Sequence, residues 1–201
     1  MSDPEAALRA RNLRTLALLA ALFLLPLLLA FCTYYGSSWR PAGSVNHGVL
    51  IQPPRPLPAL QLAPATPDSP APNAAGLFRG QWSLVYVGDG ACEAACRETL
   101  YVMRQTRLAL NNDMTRVARV FLVTAHCCAP GLSQEHAGLV LLNAQEEAAA
   151  PLLQQFPPLQ REHTLFIVDP RGNLMMSYDA RQNPRGLLED LKKLLRLSHI
   201  G

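Results

Sequence analysis

The feature that most constrains this chain is an uncharged, apolar run near its N-terminus. Residues 15–35 read TLALLAALFLLPLLLAFCTYY, which is about the 20 apolar residues that a helix needs to cross a bilayer. Pro26 lies inside the run, and transmembrane helices tolerate proline. A cleaved signal peptide has a shorter apolar region, of about 7–15 residues, that ends in small residues. The length and the Cys-Thr-Tyr-Tyr ending therefore favour a retained anchor over a cleaved signal.

The residues on either side of this run predict its orientation. Arginines precede it at positions 9, 11 and 14, and aromatic side chains lie at its end and just after it, at positions 34, 35 and 39. Basic residues stay on the cytoplasmic side of a membrane, and aromatic residues collect at its interfaces. We therefore expect a cytoplasmic tail over residues 1–14, an anchor over residues 15–35 in a bacterial inner membrane, and a periplasmic body. Disulfides persist in that compartment.

Composition divides the rest of the chain into a linker and a domain. Residues 36–75 are rich in Pro, Ala and Ser and predict a semi-extended linker. Residues 46–57 (NHGVLIQPPRPL) carry apolar side chains, and they form either an ordered strap on the domain or more of the linker; the sequence leaves both open. The domain covers residues 76–201. A net charge of +3 with 16% charged residues gives no indication of a nucleic-acid-binding surface.

The domain alternates strand-like and helix-like segments. A strand is predicted over residues 81–88, a helix over 92–111, and strands over 116–125 and 139–143. A helix broken near Pro151, a hairpin with its turn at residues 169–172, and an amphipathic C-terminal helix over 183–197 follow. Helices between strands imply parallel pairing. The fold class is therefore α/β, with the element order of a thioredoxin-like fold.

Two cysteines lie where the first domain strand meets the first helix. They are Cys92 and Cys96, in the stretch GDGACEAACRETL. The positive end of a helix dipole lowers the pKa of a nearby thiol, and the thiolate attacks disulfides and binds metals. A spacing of four places both sulfurs on one helical face. They could close a disulfide if the first turn is irregular, or bind one small ion. We interpret the pair as a redox or metal site rather than as inert buried thiols.

A distant histidine completes the candidate site. The segment HTLFIVDPRG resembles the thioredoxin-like pattern Pro-Thr-x-Phe-x-x-Asp-x-x-Gly, in which the proline lies next to the cysteine pair. Thr164, Phe166, Asp169 and Gly172 match the pattern, and His163 takes the position of the proline. Two thiolates and one imidazole form a soft ligand set suited to Cu(I), with Zn(II) as the alternative.

Together these features resemble the Sco/SenC family of membrane-anchored, thioredoxin-like copper proteins that help to assemble cytochrome c oxidase. The resemblance covers the anchor, the linker and the domain from about residue 76 to the end. It implies that Cys92, Cys96 and His163 bind copper, and that the partners are an oxidase subunit or other assembly factors. The stretches RGxWSLVYVGDGACxxxCR and LKKLLRLSHIG also resemble bacterial proteins that accompany such assembly factors.

A second cysteine pair follows the second main strand, in the loop TAHCCAPG. Parallel strands end on one side of a sheet, so this loop is expected at the same edge as the first pair. His126, Cys127 and Cys128 are therefore auxiliary candidates. One thiol could resolve a mixed disulfide with Cys92 or Cys96, or add a soft ligand beside His126. The alternative is a pair of loop thiols bonded to each other.

The sequence thus predicts a metallochaperone or thiol-redox assembly factor for cytochrome c oxidase rather than a classical enzyme. It would bind or deliver Cu(I), or reduce client cysteines with Cys92 as nucleophile and Cys96 as the resolving thiol. Two alternatives stay open. One is a thiol–disulfide oxidoreductase without a copper role, and the other is a non-catalytic assembly scaffold.

Overall fold

A computed structural model describes residues 4–36, 45–72, 76–158, 161–198 and 200 of the chain. It has two compact units, Met1–Ser44 and Val45–Gly201, and each is described here by itself. The second unit begins well before residue 76, where the sequence places the domain boundary. The reason is that the ordered part of the proline-rich segment packs on the sheet.

The first unit contains one long helix, α1 (Pro4–Gly36), with Pro26 inside it. Within it, Arg11–Gly36 is long and apolar enough to cross a membrane, and none of its most apolar window is buried by the protein. The predicted tail is helical from Pro4 onwards. The N-terminal helix is thus a candidate membrane span, as its composition predicts.

The second unit is built on a six-stranded mixed sheet with the strand order β1-β6-β5-β2-β3-β4. The strands β2, β3 and β4 are parallel to one another, with β4 at the edge of the sheet, whereas β5 runs antiparallel to β2, and β6 and β1 continue that antiparallel half. The strands are β1 (Val49–Pro56), β2 (Trp82–Asp89), β3 (Val117–Ala125), β4 (Leu139–Asn143), β5 (Thr164–Val168) and β6 (Asn173–Asp179). This is the predicted α/β thioredoxin-like arrangement.

The helices of this unit are α2 (Ala94–Leu108), α3 (Leu132–Glu135), α4 (Ala150–Leu153) and α5 (Pro184–Leu197), and 3₁₀ turns lie at Asn111–Arg116, Glu147–Ala149 and Arg161–His163. Asn183 caps α5, because its side chain accepts a hydrogen bond from the Gly186 N–H at 3.2 Å. Pro151 lies in the first turn of α4 and does not break a longer helix. A proline there leaves no hydrogen bond unmade.

Apolar side chains fill both faces of the sheet. Leu84, Tyr86 and Phe121 face α2 and α5, whose buried leucines include Leu100 and Leu191. The opposite face is covered by α4 and by the segments that precede β2. Residues 82–87 of β2 are buried throughout, as expected of a strand with both faces covered. The end of β2 is therefore a rigid support for whatever follows it.

Residues 46–57 form an ordered strap on this domain. Val49 and Leu50 pair with β6, and the backbone N–H groups of His47 and Gly48 donate to the Asp190 carboxylate at 2.8 and 2.9 Å. Further along, the Ala65 N–H donates to a carbonyl of β4 at 2.9 Å. Proline is tolerated in β1 because this strand lies at the edge of the sheet.

Candidate functional site

The first cysteine pair lies at the junction of β2 and α2. Cys92 precedes the helix and has a φ of +46°, Glu93 is the N-cap, and Cys96 lies in the first turn. This is the irregular first turn that a disulfide at this spacing requires. Cys92 and Cys96 are joined by a disulfide, with their Cα atoms 5.0 Å apart. A left-handed φ costs a non-glycine residue about 1–2 kcal/mol, so the surrounding fold holds Cys92 in place.

The disulfide lies at the base of a cleft. Cys92 is 1% exposed and Cys96 is 5% exposed. Both line a cleft of about 590 Å³, together with Tyr86, Asp89 and Glu162 among others. The sulfur atoms are therefore shielded by the domain but border a space large enough to admit part of a partner chain or a small ligand.

The Tyr86 hydroxyl fixes the far wall of this cleft. It donates to the Glu162 carbonyl oxygen at 3.2 Å, and the Thr99 hydroxyl shares its proton between the Ala95 carbonyl at 2.8 Å and the Glu162 carbonyl at 3.1 Å. Burial, with smaller contributions from the charges of Glu162 and Asp89, raises the pKa of Tyr86 to about 12. Tyr86 thus stays a hydrogen-bond donor at neutral pH. The two bonds hold the segment before β5 against α2, one turn from Cys96.

His163 is the next residue along that segment. Its carbonyl oxygen accepts a hydrogen bond from the Ala180 N–H at 2.8 Å, and its Nδ1 is buried without a hydrogen-bond partner among the described residues. The cleft wall at this point is formed by Glu162, and His163 does not line the cleft. A buried ring nitrogen without a hydrogen-bond partner is unfavourable. The Nδ1 of His163 is therefore available to a ligand next to the cysteine cleft.

The structure brings Cys92 and Cys96 together and places His163 beside their cleft. It does not close a three-ligand set: over the described residues, no group of three or more His, Cys, Asp or Glu side chains is arranged to hold a metal ion. Sulfur atoms joined in a disulfide are not thiolate ligands. A metal held by this pair would thus require the reduced cysteines.

The loop after β3 packs against the turn that carries Cys92. The Gly90 N–H donates to the Ala125 carbonyl at 2.9 Å, and the Ala129 N–H donates to the Gly90 carbonyl at 2.8 Å. A Cβ atom on Gly90 would lie 2.7 Å from the His126 carbonyl oxygen and 3.0 Å from the Cys127 Cα. Only glycine allows the two loops to approach this closely. The two loops therefore lie next to each other, as predicted.

An ion pair joins the same two loops on their exposed side. The Nδ1 of His126 lies 2.9 Å from the Asp89 carboxylate. Hydrogen bonds from the Ala91 N–H and then from His126 hold the pKa of Asp89 below its usual value. The hydrogen bond to Asp89 in turn raises the pKa of His126. At mildly acidic pH the loops are thus linked by opposite charges.

Cys127 and Cys128 form a disulfide with each other, which is the alternative that the sequence left open. Cys127 is exposed and Cys128 is partly buried. The Cys127 sulfur lies 3.3 Å from the carbonyl oxygen of Ala65. The segment after the strap therefore borders the second cysteine pair. The loop that carries this pair also packs against Gly90, next to the first cysteine pair.

Sequence reasoning did not identify Tyr86, Thr99, Asp89 and Glu162 as parts of the site. The available signal was the hydroxyl of Tyr86 inside the apolar run WSLVYV, because a buried tyrosine usually has a hydrogen-bond partner. The partner is a main-chain carbonyl 76 residues away, and local patterns do not reveal such a contact.

A comparison with family models identifies the domain. The model described as "Transmembrane-like, thioredoxin-like, C-terminal domain" matches residues 82–198, more than half of the chain. The chain belongs to this family. The match begins at the first residue of β2 and ends just after α5, so it covers the cysteine cleft and both candidate cysteine pairs.

Solved Sco structures resemble this member of the thioredoxin-like family. Apo Sco1 from Thermus thermophilus has a TM-score of 0.54 at 18% identity, covering 77% of this chain and 99% of that protein. Yeast Sco1 with copper bound has a TM-score of 0.48 at 12% identity, covering 66% and 96%. A SCO1/SenC family lipoprotein from Bacillus anthracis has a TM-score of 0.48 at 14% identity, covering 72% and 98%.

The Thermus comparison shows that the chain has a Sco-type thioredoxin-like fold, and it confirms the predicted resemblance at that level. No curated protein sequence matches the chain significantly.

Proposed function

We propose that this chain is a membrane-anchored assembly factor for cytochrome c oxidase whose working centre is the Cys92–Cys96 pair. The observation that carries the proposal is the disulfide at the β2–α2 junction, buried at the base of an open cleft. A reversible disulfide needs a rigid support, a helix N-terminus that stabilises thiolate, and access for a partner. The cysteine cleft supplies each of these.

In the redox reaction the reduced pair acts on a client disulfide. The Cys92 thiolate attacks one client sulfur, a mixed disulfide forms, and the first client thiol leaves. Cys96 then attacks the Cys92 sulfur, which re-forms the disulfide seen here and releases the second client thiol. Two electrons pass from the pair to the client, so that the client ends with two thiols.

The same reduced pair would carry Cu(I) as cargo. Cys92 and Cys96 would supply two thiolates, and His163 would supply an imidazole, a soft ligand set suited to this ion. The unpaired, buried Nδ1 of His163 supports this role. Ligand exchange between thiolates would then pass the ion to cysteines of an oxidase subunit, which is the proposed partner.

Topology follows from the anchor. We propose that Arg11–Gly36 crosses a bacterial inner membrane with residues 1–14 in the cytoplasm, because arginines precede the apolar run. Val45–Gly201 would then lie in the periplasm. Residues 45–72 of the predicted linker belong to the compact unit, and residues 37–44, which lie outside the described residues, would serve as the tether.

We further propose that the loop with His126, Cys127 and Cys128 supports the centre. When the Cys127–Cys128 disulfide is reduced, the thiolate of one of these two cysteines would attack the Cys92–Cys96 disulfide. The other loop cysteine would then resolve the mixed disulfide, which re-forms the Cys127–Cys128 bond and leaves Cys92 and Cys96 as thiols. Two electrons would pass from the loop pair to the buried pair. The exposure of Cys127 and the contact of this loop with Gly90 support this role.

A thiol–disulfide oxidoreductase without a copper role is the second candidate function. Two observations favour it. The thiols are joined, and no three-ligand arrangement exists within the described part of the chain. The redox reaction is the same as above, and only the copper cargo distinguishes the two functions.

A Cu(I) titration separates these functions. The full chain in detergent is reduced and titrated with Cu(I) against a chromophoric chelator. One tightly bound ion that is lost in Cys92→Ser and in His163→Ala supports copper carriage. The controls are Cys32→Ser, which removes the free cysteine of the anchor, and His47→Ala. Wild-type protein that binds no copper but reduces a model disulfide would contradict carriage and support the second function.

A further inference from the structure

The second cysteine pair borders a cleft of its own. Cys127 and Cys128 line a cleft of about 350 Å³ in the domain, which we call the loop cleft. The cysteine cleft of Cys92 and Cys96 is a different space, because the two clefts have no lining residue in common among the described residues. The two disulfides of the domain are therefore open to different partners.

The loops of the two pairs meet at Gly90, between the two clefts. The N–H of Ala129, a residue that lines the loop cleft, donates to the Gly90 carbonyl at 2.8 Å. His126 pairs at 2.9 Å with Asp89, a residue that lines the cysteine cleft. The loop pair is therefore close to the buried pair along the main chain, but a partner reaches it through a separate opening.

Hydrogen bonds hold one wall of the loop cleft in place. This wall is formed by residues 65–68, and the Ala65 N–H donates to the Leu141 carbonyl of β4 at 2.9 Å. The Ser69 hydroxyl donates to the same carbonyl at 3.0 Å and accepts a hydrogen bond from the Leu141 N–H at 2.8 Å. The wall is therefore preformed, and a partner that binds there does not have to order it.

A disulfide between adjacent residues adds little to the stability of a fold. Disulfides stabilise mainly by restricting the unfolded chain, and this effect grows with the length of the closed loop. Cys127 and Cys128 are neighbours in the sequence, so their bond closes almost no loop. Cys127 is also exposed, and exposed disulfides are the ones that thiols reduce most readily. The loop pair is thus suited to redox exchange rather than to structural support.

The charge of the loop cleft indicates the chemistry of a partner. Asp68 is exposed, and it is the only charged side chain among the described residues that line the cleft. The imidazole of His126, which precedes Cys127, is paired with Asp89. An attacking thiolate is an anion, and a basic residue beside it would favour its approach to the Asp68 carboxylate. The cleft thus suits thiols that are flanked by lysine or arginine.

We propose that the loop cleft is the docking site of a reducing partner, a chain with two thiols beside basic residues. One partner thiolate attacks the Cys127 sulfur, and Cys128 leaves as a thiolate that takes up a proton. The second partner thiolate then attacks the first partner sulfur, which releases Cys127 and leaves the partner with a disulfide. Two electrons thus pass from the partner to the loop pair. The reduced loop pair would then act on Cys92–Cys96, so this use of the cleft rests on the proposed function.

The test uses two capped, reduced peptides, Lys-Cys-Gly-Ala-Cys-Lys and Glu-Cys-Gly-Ala-Cys-Glu, with the full chain in detergent at low ionic strength. The chain carries Cys92→Ser and Cys96→Ser, so that only the loop disulfide can be reduced. Alkylation followed by mass spectrometry measures the opening of the Cys127–Cys128 bond. Each rate is divided by the rate of the same peptide with hydroxyethyl disulfide, which corrects for the different thiol pKa values. The normalised rate of the lysine peptide should be about two to ten times that of the glutamate peptide, since Asp68 attracts one and repels the other.

The decisive variants change the charge at position 68. Asp68→Asn should bring the two normalised rates together, and Asp68→Lys should make the glutamate peptide the faster one. Asp68 is exposed, so the fold should tolerate both changes. Glu147→Lys makes the same change of charge at an exposed position that does not line the loop cleft, and this matched control should keep the preference for the lysine peptide. If the double serine variant does not fold, the initial rate of peptide oxidation by the chain with Cys92 and Cys96 intact gives the same comparison.

Three results would overturn the proposal. They are equal normalised rates in the chain with Asp68, a preference that Asp68→Asn leaves unchanged, and a Cys127–Cys128 bond that neither peptide opens. Each of them leaves the proposed function standing, because the double serine variant lacks the Cys92–Cys96 pair. Conversely, a Cys92–Cys96 pair that exchanges with no disulfide would remove the proposed function and leave docking in the loop cleft intact.

Discussion

The close approach of the two cysteine loops predicts that Gly90 cannot carry a side chain. In Gly90→Ala the new Cβ would lie 2.7 Å from the His126 carbonyl oxygen, 2.8 Å from the Val123 Cγ1 and 3.0 Å from the Cys127 Cα. Two of these neighbours are main-chain atoms, so a rotamer change does not relieve the contact. The loops must separate by several tenths of an ångström.

Overpacking of this kind costs about 1–3 kcal/mol. For a chain of this size, the Tm should therefore fall by about 2–12 °C. Separation of the loops should also affect the site, because it weakens the hydrogen bond between Asp89 and His126. The assays are thermal unfolding and an NMR titration of the His126 ring in the same sample.

Gly131→Ala is the matched control for Gly90→Ala. Gly131 has a φ of +81°, and a Cβ added there would meet no heavy atom within 4 Å, so alanine introduces backbone strain of about 1–2 kcal/mol without a steric contact. Gly131→Ala should lower Tm but leave the His126 titration unchanged. If Gly90→Ala unfolds at the wild-type Tm with an unchanged His126 titration, then the loops are not packed as described.

Three further predictions concern the same domain. Tyr86→Phe should lower the free energy of unfolding by about 0.5–1.5 kcal/mol, since the Glu162 carbonyl loses one of its two donors; urea denaturation measures this, and an unchanged stability would refute the bond. His126 should titrate above its usual pKa of 6.5 and return towards it in Asp89→Asn. Its stabilising contribution is present below pH 6.5 and is lost as pH rises through the folded pKa, and an identical midpoint in both proteins would contradict the ion pair. Asp190→Ala should lower the free energy of unfolding by about 2–4 kcal/mol, because the N–H groups of the strap lose a buried carboxylate. Amide hydrogen exchange should become fast across β1 while the central sheet stays protected. Unchanged protection of β1 would refute this prediction.

The core of the fold was predictable because local patterns specify it. The apolar run of β2, the β-branched run of β3 and the leucines of α5 each follow the period of their element. The position of the first cysteine pair follows from these elements, since a strand that ends before a helix places the intervening residues at the sheet edge. The hairpin of β5 and β6 has a recognisable turn for the same local reason.

The remaining features depend on contacts that are distant in the chain. Residues 46–57 are ordered because Asp190 and β6, more than 110 residues away, supply their hydrogen-bond partners. The helix α2 begins at Ala94 rather than at Cys92, because the disulfide and the Gly90 contact hold Cys92 outside it. The position of His163 depends on the hydrogen bonds that Tyr86 and Thr99 donate to the carbonyl of the preceding residue, Glu162. No spacing in the sequence predicts these contacts.

The central claim is that Cys92 and Cys96 are a working thiol pair, with Cys92 attacking and Cys96 resolving. The most direct measurement reacts the reduced full chain, as Cys96→Ser, with one equivalent of glutathione disulfide and maps the adduct by mass spectrometry. The account predicts a stable glutathione adduct on Cys92, whereas the wild type passes through it to the Cys92–Cys96 disulfide and releases two glutathione thiols. An unmodified Cys92, or an adduct confined to Cys127 or Cys128, would contradict the claim.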